Sequence, residues 1–374
     1  MRRVKLLAAG GRRRRRLVVA AVAVLGLVAA ATAFAATKWP TQAQEIATSG
    51  IQPSIKFCGT KPITLAVEDG FGINAWSQES YAAVKSTAAE CKNVKVITAA
   101  GGGVESTAIQ DINSAVAQGA NAMTVIPDFG SSELPAIDAA TKAGVKVVPW
   151  GSNPGGTNGQ DYVDYVDWND SAAGTLWAKW MVKVLHGKGN VIYTGGPAGS
   201  PVGEDQLTAI DNVFANYPGI HLLTGTSSYA VTNWDPTTAG TVTASLLSQF
   251  PTINGIISNY GTDALASAQA FQKAGRKLVP IASLDANGLS CLYKQKKVPL
   301  MTISSRNWLG RIAARKAIAA AEGLTNYEPN IYNLAPFEET TNGKAYQCNP
   351  KVSADFYPSN KLTTGQISKY GSSS

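Results

Sequence analysis

The chain has 374 residues and a formal net charge of +8, from 33 Lys and Arg against 25 Asp and Glu. Arg2, Arg3, Lys5 and the run Arg12 to Arg16 supply eight of the positive charges, so the rest of the sequence is close to neutral. Because no basic stripe with interleaved aromatic residues remains, the composition argues against DNA or RNA as a partner.

The basic start is followed by Leu17 to Ala36, twenty residues without a charge. This pattern predicts either a cleaved export signal or a membrane anchor over residues 1–36. Ala33-Phe34-Ala35 fits the small-x-small rule for signal-peptidase cleavage. Both alternatives place the body on the extracytoplasmic face of the cell envelope or in the medium, with residues 37–57 as a polar tether.

Four cysteines in an exported chain predict disulfides. Cys58 precedes a strand pattern at Ile63 to Val67, and Cys91 ends the helix that returns antiparallel to that strand, so we expect these two to pair. Cys291 and Cys348 then form the second predicted disulfide. The alternative, a four-cysteine zinc site, has no C-x-x-C spacing to support it.

Strand and helix patterns alternate along the body, which predicts two parallel-sheet lobes. The predicted strands are Ile63 to Val67, Val94 to Thr98, Ala122 to Ile126, Val145 to Pro149, Tyr162 to Val166, Asn190 to Tyr193, His221 to Thr226, Gly255 to Ser258, Leu278 to Ser283 and Leu300 to Ser304. Predicted helices include Asn74 to Glu90, Ser171 to His186 and Arg311 to Glu322. The polar segment Lys361 to Ser374 is expected to be a frayed tail.

One α/β unit occurs twice, because residues 125–150 match residues 256–281 at a constant offset of 131. The most recognisable pair is Lys142-Ala143-Gly144 with Lys273-Ala274-Gly275. Each copy reads as a strand, a polar turn with Gly, a helix and a second strand. Such duplication predicts two equivalent lobes, although Lys-Ala-Gly before a strand is also common helix-ending chemistry.

The two copies place equivalent turns, Asp128 to Ser132 and Asn259 to Asp263, after equivalent strands. Ligands of parallel α/β sheets bind beyond the carboxyl ends of the strands, so facing lobes would put both turns in one cleft. Four acidic residues are predicted to approach that cleft: Asp128, Glu204, Asp263 and Asp285. Because glycosidases use a pair of carboxyl groups for catalysis, two of these residues could also make the protein a glycosidase, which is an alternative function.

Gly70-Phe71-Gly72-Ile73-Asn74-Ala75 satisfies the G-x-G-x-x-A fingerprint of dinucleotide-binding folds. The acidic residue expected about twenty positions later is replaced by Ala99-Ala100-Gly101-Gly102-Gly103, so no nicotinamide cofactor is expected. We interpret the loop instead as a glycine turn that lets Phe71, Asn74 and Trp76 approach a ligand.

Other cofactor and catalytic chemistry has little support. The histidines, His186 and His221, lie outside any metal-spaced cluster, and neither G-x-S-x-G nor G-x-x-x-x-G-K-[ST] occurs. We therefore expect no metal, no cofactor and no enzymatic activity.

Aromatic and short polar side chains recur at the predicted strand ends. A sugar ring has apolar faces and a rim of hydroxyls, which suit flat aromatic walls with fixed carboxylates and amides. Individually, Trp150, Trp168 and Trp308 are as readily explained by packing, and Asp170 and Asp285 by helix N-capping.

Taken together, these features resemble the ribose-type (type 1) periplasmic sugar-binding proteins, the solute-binding components of ABC importers. The similarity covers roughly residues 62–324. It is carried by Ile63 to Trp76, Tyr165-Val166-Asp167-Trp168-Asn169, Asn233-Trp234-Asp235, Gly255 to Lys277 and Ile281-Ala282-Ser283-Leu284-Asp285.

The resemblance implies an α/β fold of two similar doubly wound lobes joined by three crossover strands, which close over one small molecule and dock on a membrane permease. Residues 58–155 with 306–330 would form lobe 1, and residues 156–305 with 331–350 lobe 2, followed by a tail over 351–374. The predicted ligand-binding residues are Phe71, Asn74, Trp76, Asp128, Trp150, Asn169, Glu204, Trp234, Tyr260, Asp263, Asp285, Arg306 and Asn307. Asp285 would supply the central carboxylate.

Three departures from the family pattern affect the ligand. Gly151-Ser152 replaces Asp-Arg, Glu204 is the residue nearest to an expected Arg, and Tyr260-Gly261 replaces Asn-Asp. We expect a small polar ligand, a sugar or polyol, and keep an amino acid or polyamine as alternatives. A receptor for a membrane kinase and a carbohydrate-active enzyme are the alternative functions.

Overall fold

The structure, a computed structural model, describes residues 56–373. The predicted export signal or anchor over residues 1–36, and nearly all of the predicted tether over residues 37–57, lie outside the described residues. From residue 56 to residue 373, no helix has both the length and the apolar character needed to cross a bilayer. These residues form two main sheets covered by helices, one sheet in each predicted lobe.

Strands and helices alternate largely as predicted. The strands are β1 (Ile63–Asp69), β2 (Val94–Ala100), β3 (Ala122–Ile126), β4 (Lys146–Pro149), β5 (Asp167–Trp168), β6 (Gly189–Gly195), β7 (Ile220–Leu222), β8 (Ala230–Val231), β9 (Gly255–Ser258), β10 (Ile281–Leu284), β11 (Leu300–Ile303), β12 (Ile331–Tyr332) and β13 (Pro336–Glu339). The α-helices are α1 (Ala75–Ala88), α2 (Glu105–Ala117), α3 (Leu134–Lys142), α4 (Asp170–Val184), α5 (Pro201–Phe214), α6 (Pro236–Gln249), α7 (Gly261–Lys273), α8 (Asn287–Lys296), α9 (Leu309–Glu322) and α10 (Thr364–Tyr370). The strand predicted at Tyr162 to Val166 is wrong, because this segment forms only two isolated bridges, Tyr162 with Asn158 and Val166 with Trp150, before β5 begins.

Lobe 1 is a parallel sheet in the order β2-β1-β3-β4. Helix α1 packs on α9, and α2 packs on α3. Successive side chains of β1 point to opposite faces: Leu65 and Val67 belong to one buried apolar cluster, while Ala66 joins Ile112 and Ile137 in another. The sheet is therefore buried on both sides, as in doubly wound folds.

Lobe 2 is built on a sheet in the order β13-β11-β10-β9-β6-β7, with β8 also pairing with β6. Its pairs are parallel except for β13, which runs antiparallel to β11 at the edge. Helix α4 packs on α5, and α7 contacts both α6 and α8. The carboxyl ends of the parallel strands of each lobe carry the loops that form the candidate site.

The internal repeat of the sequence is also visible in the structure, as matching helix ends in the two lobes. Helices α3 and α7 end at the matched residues Lys142 and Lys273, and each helix is followed by a left-handed glycine, Gly144 or Gly275, with φ of 98° and 68°. Only glycine adopts this conformation without strain, which explains the shared helix-ending sequence. The copies diverge afterwards, because β4 begins directly at Lys146 whereas β10 begins four residues beyond the matching lysine.

The three expected crossovers between the lobes are present. The first leads from β4 to β5, the second from β11 to α9, and the third from α9 through β12 to β13. Strands β5 and β12 pair in parallel, so the first and third crossovers support each other. The chain then crosses a fourth time, from lobe 2 near Phe356 to α1 of lobe 1, where α10 packs.

The predicted frayed tail is wrong for the described residues. Leu362 is 4% exposed, and Ile367 and Tyr370 of α10 pack with it against Ala82 and Ala83 of α1. The helix also begins with a capping box, in which Thr363 and Gln366 bond each other's backbone. The polar composition of this segment suggested disorder. A few apolar side chains and the capping box at the start of α10 are nevertheless sufficient to hold the helix against α1.

Both predicted disulfides are confirmed. Cys58 bonds to Cys91, with Cα atoms 5.3 Å apart, and links the start of β1 to the end of α1 in lobe 1. Cys291 bonds to Cys348, with Cα atoms 4.7 Å apart, and links α8 to the segment after β13 in lobe 2. Each disulfide therefore lies within one lobe and leaves the hinge free of covalent constraint.

Candidate functional site

A cavity lies where the strand ends of the two lobes face each other. It is lined by Asp69, Phe71, Asn74, Trp76, Ser77, Asp128, Val202, Trp234, Asn259, Tyr260 and Arg306. The lining comes from both lobes and from the second crossover. This is the expected position for a ligand of a two-lobed parallel α/β protein.

The loop after β1 is held by Asp69. Its Oδ1 accepts hydrogen bonds from Phe71 N at 2.9 Å and Gly72 N at 2.8 Å, while Oδ2 is buried without a partner among the described residues. Asn74 then caps α1, because its Oδ1 accepts from Ser77 N at 2.8 Å. The glycine turn directs Phe71, Asn74 and Trp76 into the cavity, as the sequence predicted.

Asp128 and Asn259 occupy matched positions of the internal repeat and line the cavity from opposite lobes. Asn259 Oδ1 accepts from Trp234 Nε1 at 3.1 Å, whereas its buried Nδ2 finds no partner among the described residues. Gly70 allows the β1 loop to approach Asp128, because a Cβ at this glycine would lie 3.0 Å from Asp128 Oδ2. The prediction that both turns meet in one cleft is confirmed.

Arg306 enters the cavity from the second crossover and lies between two indole rings. Its guanidinium carbon lies 5.3 Å from the ring centre of Trp76 and 4.2 Å from that of Trp168. One amino group donates to Gly151 O at 3.0 Å, and Nε is buried without a partner among the described residues. Trp76 in turn stacks on Trp150, with ring centres 5.9 Å apart. These contacts fix a cationic donor against an aromatic wall.

The lobes touch across the cleft on the side away from the hinge. Phe71 of lobe 1 meets Trp234 of lobe 2 edge to face, with ring centres 5.1 Å apart. Gly130 and Pro201 also approach closely, since a Cβ at this glycine would lie 2.8 Å from Pro201 Cγ. These contacts bring the two lobes together beside the cavity, as in a closed arrangement of the lobes.

Burial governs the electrostatics of the site. It raises the pKa of Asp69, and it raises that of Asp128 well above its usual range, with the negative charge of Asp69 adding to the effect. Burial lowers the pKa of Arg306, which the neighbouring carboxylates of Asp170 and Asp167 oppose. Burial therefore disfavours the ionised form of both cavity carboxyls.

Seven of the thirteen predicted ligand-binding residues line the cavity: Phe71, Asn74, Trp76, Asp128, Trp234, Tyr260 and Arg306. Trp150 and Asn307 lie one layer behind, and Asn307 Nδ2 donates to Trp76 O at 2.6 Å. Asn169 caps α4 by accepting from Ala172 N at 2.8 Å, and Glu204 is exposed in the first turn of α5. These four residues do not line the cavity, so direct ligand contact is not supported for them.

The two remaining predicted carboxylates also lie outside the cavity lining. Asp263 accepts from Thr232 Oγ1 at 2.6 Å. Asp285, the predicted central ligand, is fully buried and accepts from Ser305 N at 2.6 Å, Ser359 N at 2.9 Å and Ser359 Oγ at 2.8 Å. Both of its carboxylate oxygens therefore already accept hydrogen bonds from the protein itself.

Four lining residues were not among the predicted ligand-binding residues: Asp69, Ser77, Val202 and Asn259. Two of them had a signal in the sequence. Asp69 lies two residues after the apolar run Ile63 to Val67 and is the last residue of β1, and Asn259 is the first residue of the turn that the internal repeat identifies. From residue 56 to residue 373, no group of three or more His, Cys, Asp or Glu side chains is arranged to hold a metal ion.

Comparison with known proteins agrees with this geometry. The sequence profile described as "Periplasmic binding protein domain" matches residues 69–325, more than half of the chain. A curated relative, the xylitol-binding protein of Mycolicibacterium smegmatis, is 27% identical over 238 residues, which cover 63% of this chain and 65% of that protein. The match therefore spans just under two thirds of the relative's length.

Solved structures show the same fold. The binding component of the arabinose ABC transporter from Shewanella sp. ANA-3 has a TM-score of 0.65 at 19% identity, covering 73% of this chain and 90% of that one. A solute-binding protein from Actinobacillus succinogenes 130z with bound D-allose has a TM-score of 0.62 at 23% identity, covering 73% and 96%. With two sheets, crossovers and an inter-lobe cavity in place, the profile match shows that the chain belongs to the periplasmic binding protein family.

Proposed function

We propose that this protein is an extracytoplasmic receptor that binds one small neutral polyhydroxylated molecule, a sugar or polyol, between its lobes. In this proposal it presents the closed form to the permease of an ABC importer and leaves the ligand chemically unchanged. The observation that carries the proposal is the inter-lobe cavity, in which unpartnered polar atoms from both lobes lie beside aromatic side chains.

The chemistry of the cavity favours hydroxyl groups. Asp69 Oδ2, Asn259 Nδ2 and Arg306 Nε are buried without partners among the described residues, so a ligand that both donates and accepts would satisfy them. Trp76 and Trp234 contribute apolar ring surface to the lining, against which the C–H groups of such a molecule can pack. A hydroxylated carbon chain or ring meets both requirements.

A cationic or zwitterionic ligand is less well supported. A polyamine needs ionised carboxylates, whereas burial raises the pKa of both Asp69 and Asp128. An amino acid needs a free cation for its carboxylate, but the Arg306 guanidinium is already close to the carboxylates of Asp167 and Asp170. The excess of acidic residues near the cleft therefore does not by itself indicate a basic ligand.

The relatives support the same ligand class. Their names specify xylitol, arabinose and D-allose, all of which are small neutral polyhydroxylated molecules. None of these names describes a catalytic activity, which favours binding over glycoside hydrolysis.

Ligand contacts from both lobes provide a mechanism for closure. A molecule that bonds both Asp128 and Asn259 gains more in the closed state than in an open one, and so shifts the population toward closure. The Phe71 and Trp234 contact then shields it from water. A permease can distinguish the liganded receptor by this closed shape.

Thermal unfolding with candidate ligands tests the proposal. Residues 37–374 would be heated with xylitol, L-arabinose, D-allose, an amino acid mixture or putrescine. A ligand at 100 times its Kd should stabilise the protein by about 2.7 kcal/mol. We expect a shift with a sugar or polyol and its unchanged recovery by chromatography. A shift confined to putrescine or amino acids would refute the ligand class, and a converted product would indicate an enzyme.

A further inference from the structure

The fourth passage between the lobes involves the C-terminal strap, which we define as residues Phe356–Ser373. On lobe 2, the strap bonds the end of β10 and the start of α8. Ser359 donates through N and Oγ to the Asp285 carboxylate at 2.9 and 2.8 Å, and Phe356 O accepts from Asn287 N at 2.8 Å. Asp285 is fully buried and Ser359 is 1% exposed, so these bonds are shielded from water.

The same strap is bound to lobe 1 through Glu79 of α1. Tyr357 N donates to Glu79 Oε1 at 2.8 Å, and Asn360 Nδ2 donates to Oε2 at 2.6 Å. Further along, α10 packs on α1, and Lys85 Nζ donates to Ser372 O at 2.9 Å. Within four residues, the strap therefore satisfies a buried carboxylate of each lobe.

The strap also supports the cavity wall. Asn360 Nδ2 lies 2.6 Å from Asn307 Oδ1, and Asn307 Nδ2 donates to Trp76 O at 2.6 Å. On the other side, the ring of Tyr357 lies 6.2 Å from that of Tyr260. Trp76 and Tyr260 both line the cavity, so one strap residue lies behind each of two facing walls.

We propose that the C-terminal strap is an inter-lobe lock, and that Asn360 is the positioning residue that couples this lock to the ligand cavity. Separation of the lobes at the hinge would strip hydrogen bonds from either Glu79 or Asp285, and would expose Tyr357 and Asn360, which are fully buried. The strap therefore limits how far the ligand-free receptor opens. Its effect on ligand affinity rests on the proposed function, but its effect on opening does not.

Small-angle X-ray scattering of the Asn360→Ala variant without ligand tests the lock directly. We expect a larger radius of gyration than in the wild type, because the strap loses its side-chain bonds to Glu79 and Asn307. Saturating xylitol should restore the wild-type radius. The control is Ser368→Ala, on the exposed side of α10 in the same segment, which should match the wild type throughout.

Binding kinetics with xylitol provide the second readout. Loosening the lock lowers the population of the closed state, so we expect the Kd of Asn360→Ala to rise about tenfold, mainly through faster dissociation. Ser359→Ala removes one bond to Asp285 but keeps the backbone bond, so it should fold normally and change both readouts in the same direction by a smaller factor.

The outcomes separate the two proposals. Unchanged ligand-free radii in both strap variants would overturn the lock, whatever the binding data show. If xylitol binds none of the proteins, xylitol is not the ligand, and the ligand-free radii still decide whether the strap limits opening. A wider ligand-free receptor with unchanged xylitol kinetics would leave the lock intact but refute the role of Asn360 in positioning the cavity.

Discussion

Gly72 shows at the scale of one residue how the first loop is built. It has φ of 70°, and an added Cβ would lie 2.3 Å from Ala100 Cβ and 2.7 Å from the Tyr81 hydroxyl. We expect Gly72→Ala to destabilise the protein by about 2–4 kcal/mol, because strain and a steric clash combine. Urea unfolding measures this loss.

Gly102 provides the matched control for that substitution. It has a similar φ of 65° but no heavy atom within 4 Å of an added Cβ. Gly102→Ala should therefore cost only the backbone strain, about 1 kcal/mol. Equal losses for the two variants would show that the close approach to Ala100 contributes nothing.

Asn259 is the side chain whose free amide group most directly predicts a ligand contact. Asn259→Ala should weaken binding of the sugar or polyol found in the thermal screen by about 1.5 kcal/mol or more, roughly tenfold, because a buried hydrogen bond is lost. Isothermal titration calorimetry measures the change. Asn216→Ala, at an exposed position of lobe 2, is the control and should bind as the wild type. Wild-type affinity in Asn259→Ala would remove this residue from the proposed site.

At the scale of elements, the sequence predicted most strands and helices because their signals are local. The repeat identified the turns that carry Asp128 and Asn259, since matched helix endings and strand patterns are visible within about 26 residues. The hydrogen bonds that hold Asp285 outside the cavity lining were not predicted, for the opposite reason. Its partner Ser359 lies 74 residues away, in a polar segment with no strong pattern of its own. Long-range contacts of this kind are not encoded in periodicity or spacing.

The two disulfides stabilise individual elements within the lobes. In the chain-entropy model, the loops of 33 and 57 residues correspond to about 4 kcal/mol each, with the longer loop contributing slightly more. We expect Cys291→Ala with Cys348→Ala to lower the free energy of unfolding by an amount of this order, as measured in urea. An unchanged free energy of unfolding would show either that the disulfide strains the folded lobe or that the unfolded chain without the disulfide retains residual structure.

For the whole molecule, buried carboxyls dominate the pH dependence of stability. Burial raises the pKa of Glu79 and Asp263 to about 8 each, and that of Asp285 to about 6. The folded state therefore binds more protons than the unfolded state between about pH 4 and pH 8. The stabilisation is fully present below the unfolded pKa values and is lost as pH rises through the folded ones.

We therefore expect the melting temperature to fall as pH increases from 5 to 8. Each such group contributes a slope of up to about 1.4 kcal/mol per pH unit within its window. Differential scanning calorimetry across this range measures the trend. Asp263→Asn removes one titrating group and should flatten the slope. A melting temperature that rises with pH over this range would show that these carboxyls are ionised in the folded protein.

The strap has a consequence for how the chain folds. The bond between Glu79 and Tyr357 joins residues 278 positions apart, and the bond between Lys85 and Ser372 spans 287 positions. Contacts of such sequence separation carry a large loop-closure cost and form late. Both main sheets are complete in sequence at Glu339, before the strap begins at Phe356. The strap contacts should therefore form after the three other crossovers between the lobes, and a chain truncated before Phe356 should open more widely about those crossovers.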